Sequence, residues 1–146
     1  MKFVPKGWGF ERWIVNNDLY CGKLLFFAKG KRCSFHYHKK KTETFYVQSG
    51  RIMMLYSFGN IESLENKKDD IEKCIKLAEE KVEGQRANEA IYMLFHNIYI
   101  KFLEAGDSFQ INPELVHQAI AIMDSTVFEF STHHEDEDSY RIVKGD

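Results

Sequence analysis

The sequence predicts an all-β domain, a small barrel or sandwich of short strands, with one α-helix inserted around residues 69–83. Three observations predict it. Strand-like stretches recur along the chain, separated by turn signals at Asn16-Asn17-Asp18, Gly30, Gly50, Ala105-Gly106-Asp107 and Asn112-Pro113-Glu114. Residues 32–38 alternate, with Arg32, Ser34, His36 and His38 on one face and Cys33, Phe35 and Tyr37 on the other. One window departs from this pattern: in 69–83, Ile71, Cys74, Ile75, Ala78 and Val82 fall on a helical stripe.

The elements follow in order. Residues 8–15, with Trp8, Phe10 and Trp13, read as an edge strand covering one end of a barrel. Residues 20–28 contain the apolar run Leu24, Leu25, Phe26 and Phe27, which suits a strand buried on both faces. The alternating strand 32–38 ends in Lys39-Lys40-Lys41, a short turn read as solvated and solubilising. Strands at 42–49 and 51–58 follow, with Met53 and Met54 as core packing. The helix has Asp69 and Asp70 at its start and Gly84 past its end, as dipole and C-cap preferences require. Its stripe packs on the outside of the barrel or on a partner. Residues 90–95 fit strand or helix equally, and His96 beside them reads as structural. Strands then resume at 98–103, 108–111, 116–123 and 126–131. The acidic stretch 133–138, with His133 and His134 read as solvated, leads to a last strand at 140–143.

Length and charge bound the function. A chain of 146 residues suits one domain, 1–146, with a helical insertion at about 60–97. A formal charge of −2 argues against a nucleic-acid partner. No apolar run reaches membrane-spanning length, and the first residues lack the apolar core of a signal peptide. The expectation is a cytoplasmic protein with no membrane partner. Cys21, Cys33 and Cys74 are scattered and odd in number, which reads as free thiols.

The chemistry concentrates between Gly30 and Gly50. His36 and His38 share a strand face, and Glu43 is delivered by the next strand after a turn. With His117 far downstream, they make a candidate metal set of three imidazoles and one carboxylate. Such a set suits zinc, manganese, iron, nickel or cobalt, zinc being preferred here, and leaves positions open for a substrate.

These intervals resemble the two motifs of the cupin family. The first reads Gly, five residues, His-x-His, a gap of four, Glu, six residues, Gly, and Gly30, His36, His38, Glu43 and Gly50 meet every interval. In the second motif Gly106 and His117 keep their spacing. Asn112 stands at the proline position, Glu114 at the glycine position and Ala121 at the asparagine position. The resemblance implies a small cupin β-barrel (a double-stranded β-helix, or jelly roll), a divalent metal held by His36, His38, Glu43 and His117, and a homodimer. Phe35, Tyr37 and the segment 8–13 are the candidate contacts.

Within the cupins, Trp8-Gly9-Phe10-Glu11, Lys23, the first-motif strand and the ending Val127-Phe128-Glu129-Phe130-Ser131 with Arg141 resemble isomerases of the mannose-6-phosphate isomerase type. This implies a small-molecule substrate, a sugar or sugar phosphate, and aldose–ketose interconversion. That reaction needs a base. Glu129 is the candidate, because Val127, Glu129 and Ser131 share a strand face. Arg32, on the face assigned to His36 and His38, is the first candidate to hold substrate oxygens, ahead of Lys23, Lys101 and Arg141. An Fe-dependent oxygenase and a non-enzymatic sugar-binding module are the alternative readings.

Overall fold

The computed structural model describes residues 1–82 and 97–146. Gly84, residues 90–95 and His96 lie outside the described residues.

The strands are β1 (Lys2–Lys6), β2 (Gly9–Asn16), β3 (Cys21–Phe27), β4 (Phe35–Tyr37), β5 (Glu43–Ser49), β6 (Arg51–Ser57), β7 (Ile98–Glu104), β8 (Ser108–Ile111), β9 (Val116–Ala121), β10 (Ser125–Ser131) and β11 (Tyr140–Val143). They form two antiparallel sheets, in the order β1-β2-β3-β10-β5-β8 and β11-β4-β9-β6-β7. Two helices, α1 (Ile61–Glu65) and α2 (Lys68–Val82), fall between β6 and β7. This is an all-β barrel with a helical insert, as the residue pattern predicts.

Two apolar layers hold it together. Between the sheets, Trp8, Leu25, Phe27, Phe45, Val47, Met54, Leu103 and Val127 interdigitate. On the outside of the five-stranded sheet, Ile71, Ile75 and Ala78 of α2 pack with Leu64 of α1 against Phe35, Met53, Leu55, Val116 and Ile120. The helical stripe is therefore met by the barrel itself. Each fully buried isoleucine contributes about 2 kcal/mol there. α1 begins at Asn60, whose side chain accepts from the Ser63 N–H, a cap absent from the sequence reading.

Four expectations are corrected. Residues 8–15 are not an edge, because β1 pairs along the free side of β2. β3 is not buried on both faces: Lys23, Leu25 and Phe27 point inward and are buried, whereas Leu24 and Phe26 are half-buried on the outer face. Phe35 and Tyr37 are no dimer contact, since both are buried in the layer under the helices. The strand expected over 32–38 shrinks to three residues. Arg32 makes only an isolated bridge to Ile120, and Asp146 pairs with its backbone. There the Asp146 N–H donates to the Arg32 carbonyl, and Asp146 Oδ2 accepts from the Arg32 N–H. A Cβ on Gly145 would meet the Cys33 carbonyl carbon at 2.4 Å.

The loop before β9 keeps a glycine-like conformation without the glycine. Glu114 sits at φ 69°, and its N–H donates to the His38 carbonyl at 2.6 Å. A left-handed non-glycine residue costs about 1–2 kcal/mol. Part of that is offset in Glu114→Gly by the freer unfolded chain. The variant is expected to gain about 0.5–1 kcal/mol, seen as a higher midpoint in urea at unchanged slope.

Candidate metal centre and its cavity

Strand register brings the motif residues together. His36 of β4 lies directly opposite His117 of β9, so both rings project from the same face of the five-stranded sheet. Glu43 enters from β5 of the facing sheet, opposite Ser131 and Ile111. The ligand atoms offered by His36, His38, Glu43 and His117 all lie within 4.8 Å of one another.

The tautomers are fixed by the backbone. His36 Nδ1 donates to the Ser34 carbonyl at 2.8 Å, His38 Nδ1 to the Asp138 carbonyl at 2.7 Å and His117 Nδ1 to the Leu115 carbonyl at 2.9 Å. A neutral ring that donates from Nδ1 carries its lone pair on Nε2. His117 Nε2 faces Glu43 Oε1 at 3.0 Å and His38 Nε2 faces it at 3.4 Å. None of these three atoms has a hydrogen-bond partner, although all are buried. Burial, with His117 and His38 alongside, holds His36 well below the usual imidazole range and so keeps it neutral. Lone pairs converging in a buried site, each ring oriented by a carbonyl, make a donor set that could hold a divalent metal ion.

A second layer of charge surrounds it. Lys41, only 3 % exposed, places Nζ 2.7 Å from Glu43 Oε2 and 3.6 Å from Glu129 Oε2. Lys23 Nζ lies 3.7 Å from the same Glu129 oxygen and 3.6 Å from Glu11 Oε2, which accepts from the Trp13 indole N–H. The inner face of the six-stranded sheet thus carries a row from Trp13 through Lys23 and Glu129 to Phe45, each directly across from the next. Burial raises the Glu129 carboxyl, against the pull of Lys41 and with the push of Glu43. Burial also acts to raise Glu43, but Lys41 and the neighbouring His117 and His38 outweigh it and hold this carboxyl well below its ordinary value. Burial alone lowers a lysine, yet Glu129 and Glu43 push the Lys41 ammonium up on balance.

These groups line one cavity of about 630 Å³, together with Trp8, Phe27 and Phe45. Glu129 lies in it, buried to 6 % exposure. Arg32 does not. The chain slips by one position at Cys33 and Ser34, which both line the cavity, so Arg32 turns outward and pairs with Glu79 of α2 at 3.1 Å. Lys101 lines a different hollow on the far side, and Arg141 reaches the rim of the metal cavity.

Two groups escaped the sequence reading. Lys41 lies in the lysine run read as solvated. It is turned inward because the Asp138 carboxylate accepts from the backbone N–H groups of Lys39, Lys40 and Lys41. His134, read as solvated, lines the cavity instead, with Nδ1 at 3.3 Å from Lys41 Nζ. Burial, with Lys23 and Lys41 beside it, lowers His134 to about 4. The only forewarning was its place in an acidic stretch that must fold back to reach β11.

Solved structures show the same fold at low identity. KdgF from Halomonas sp. matches with a TM-score of 0.59 at 15% identity, over 94% of this chain and 90% of that one. The capsular polysaccharide assembling protein CapF of Staphylococcus aureus gives 0.65 at 13%, over 97% of this chain and 31% of that one. An RmlC-like cupin from Shewanella frigidimarina gives 0.57 at 15%, over 93% and 86%. The chain therefore spans most of two of these proteins and about a third of CapF. No curated protein matches. Barrel and donor set together define a cupin with a divalent-metal site. Within that class the chain belongs to the D-lyxose isomerase family, whose model matches residues 10–144.

Proposed function

We propose that the protein is a metal-dependent aldose–ketose isomerase acting on D-lyxose and on aldoses that share its configuration at C2 to C4, such as D-mannose, free or phosphorylated. The observation that carries this reading is the second buried carboxylate. Glu129 shares the cavity with the metal donors, and its Oε2 makes no hydrogen bond.

His36, His38 and His117, through Nε2, and Glu43 would hold the ion; zinc is the first choice, with manganese, iron, nickel or cobalt as alternatives. When bound, such an ion supplies Lewis acidity toward neighbouring oxygens of an open-chain sugar. Glu129 takes the proton from C2 of the aldose and returns it to C1, while the proton of the C2 hydroxyl passes to the C1 oxygen, giving the ketose. A carboxyl raised by burial is the better base for this step. Lys41 and Lys23 keep that carboxylate oriented and ionised from two sides. Trp8, Phe27 and Phe45 exclude bulk water from the reacting carbons. Arg32 takes no part. The free thiols of Cys21, Cys33 and Cys74 fit a cytoplasmic setting, and the proposed unit is a homodimer. Among the described residues no helix is long and apolar enough to cross a membrane.

Proton NMR of metal-loaded protein with D-lyxose in D₂O tests the reading. The expected result is D-xylulose carrying solvent deuterium at C1. No exchange in lyxose, mannose or their phosphates would sink it. Fe(II)-dependent oxygen uptake without exchange would favour the oxygenase.

The metal has its own readout. At hundredfold excess over Kd, binding adds about 2.7 kcal/mol, or roughly 8 °C in Tm at about 3 °C per kcal/mol for a chain of this size. Chelation is expected to remove that increment, and His117→Ala to abolish the response to zinc. A Tm that ignores both metal and chelator would contradict the site.

A further inference from the structure

The barrel interior holds a second hollow. The metal cavity is lined from β1, β2 and β11, at one edge of the two sheets. At the opposite edge the sheets end in β8 and β7. There a hollow of about 880 Å³ lies between Tyr56, Phe58 and Phe109, the start of α1 and the loop before β9. Its volume falls in the range of small-molecule sites. Tyr56 follows Ile52 and Met54 on the inner face of β6 and packs with their layer. One step of the strand register separates the two spaces. His36, His117, Tyr56 and Tyr99 form a single row across the inner face of the five-stranded sheet. On the facing sheet Phe45 lies opposite Phe109. His117 meets Phe45 edge-on with centroids 6.5 Å apart, and Tyr56 meets Phe109 at 5.1 Å. The loop belongs to both sides. Leu115 lines the hollow, and its carbonyl accepts from His117 Nδ1. Glu114 lines it too, and its N–H donates to the His38 carbonyl. A molecule in the hollow would therefore press on groups that orient two of the metal donors.

The lining chemistry selects a class of ligand. Tyr56 and Phe109 are half-buried and form an aromatic floor, and Phe58, 76 % exposed, stands at the rim. The negative face of such a ring attracts the weakly positive hydrogens of C–H groups. Around the floor lie Lys101, Gln110, Asn112, Glu62 and Glu114. The Gln110 amide donates to Asn112 Oδ1 at 2.9 Å, which leaves Gln110 Oε1 as an acceptor and the Asn112 amide as a donor. Lys101 adds a donor, and the two carboxylates add acceptors. An anion would meet both carboxylates. An organic cation would meet Lys101, whose Nζ lies 5.9 Å from the Phe109 ring centroid. Hydroxyl groups donate and accept at once, so they suit every one of these partners. A pyranose carries hydroxyls around its edge and C–H groups on its face. We infer that this hollow is a second binding site, for a neutral sugar in ring form, and that its occupation changes the affinity of the adjoining donors for a metal ion. The inference takes from the preceding reading only the metal donors and none of the isomerase chemistry.

Methyl pyranosides are the probes, because a glycoside is locked as a ring and cannot enter the open-chain reaction. Isothermal titration of the metal-free chain with the methyl pyranosides of D-mannose, D-glucose and D-xylose is expected to show saturable binding of at least one, at one site per chain. Phe58→Ala is expected to weaken that binding about tenfold. Gln110→Ala, also exposed at the rim, serves if the first variant fails to fold. Glu129→Gln, in the metal cavity, is the control and binds the glycoside as the wild type does. Saturating glycoside is expected to shift the zinc Kd of the wild type by about fivefold, and to leave that of Phe58→Ala unmoved. Neither readout involves turnover, so the outcome is independent of any isomerase assay. No saturable binding of any of the glycosides overturns the inference. So does binding lost in Glu129→Gln but kept in Phe58→Ala and Gln110→Ala, which would put the sugar among the metal donors. A zinc Kd that ignores bound glycoside overturns the coupling. A doubled mass in sedimentation that Phe58→Ala returns to 17.2 kDa would assign the hollow to a second chain and overturn the sugar site.

Discussion

Replacing Glu129 by glutamine is expected to lower aldose–ketose turnover by roughly 10²–10⁴-fold, about 3–5 kcal/mol in barrier height, while metal content stays at the wild-type level. The two halves of the outcome test different things. Glutamine keeps the volume and one carbonyl oxygen, but it cannot accept a carbon-bound proton. Loss of solvent exchange therefore reports the missing base. Metal retention reports that the four donors, which Glu129 does not join, are intact. The change removes one negative charge between Lys23 and Lys41, yet Glu11 and Glu43 still face those ammonium groups. The fold is thus expected to survive. If Glu129→Gln exchanges deuterium at the wild-type rate, the base is another group. If it loses metal as well as turnover, Glu129 acts through the metal donors and not on the sugar.

The parts of this site that could be read in advance depend on the chain's own periodicities. Two histidines two apart on a strand must share a face, and the hydrogen-bonded register then sets His36 against His117. The barrel followed for the same reason, because strand and turn signals are local. The helical stripe placed the start of α2 within a residue, and Ile71 and Ile75 are fully buried. What could not be read depends on contacts between distant segments. Arg32 is off the site because the alternation slips where Cys33 and Ser34 both face the cavity, in a stretch whose backbone pairs with Asp146. Lys41 looked like one of three solvated lysines, because nothing within the run distinguishes it from Lys39 and Lys40. The distinction comes from Asp138, 97 positions away, whose carboxylate gathers three consecutive backbone N–H groups. Burial acts to raise the Asp138 carboxyl, but those N–H groups hold it below its ordinary value, as expected for an anion serving as a cap. The strand β3 misled in a different way. Its apolar run does not mean burial on both faces; it means one face on the core and the other on the sheet's outer surface.

Lys41→Met should give the largest loss of stability of any single change considered for this molecule. The ammonium is, among the described residues, the one cation that faces both Glu43 and Glu129, and it is 3 % exposed. Taking away one partner of a buried ion pair leaves an uncompensated charge and costs about 3–5 kcal/mol. Here two carboxylates are left facing each other with only Lys23 beside Glu129, at 3.7 Å, so turnover is expected to fall along with stability. Metal changes the size of the effect in a predictable direction. A divalent cation on Glu43 neutralises one of the two stranded charges, so the metal-loaded variant should lose less stability than the metal-free one. In other words, the variant should gain more from zinc than the wild type does, measured as the shift in urea midpoint on metal addition. Combining the change with Glu129→Gln removes the second stranded charge. The double variant should therefore be more stable than the sum of the single losses allows, with a coupling of about 1–3 kcal/mol. Additive losses, or a Lys41→Met protein with wild-type midpoint and turnover, would mean that the lysine only fills space between the two acids.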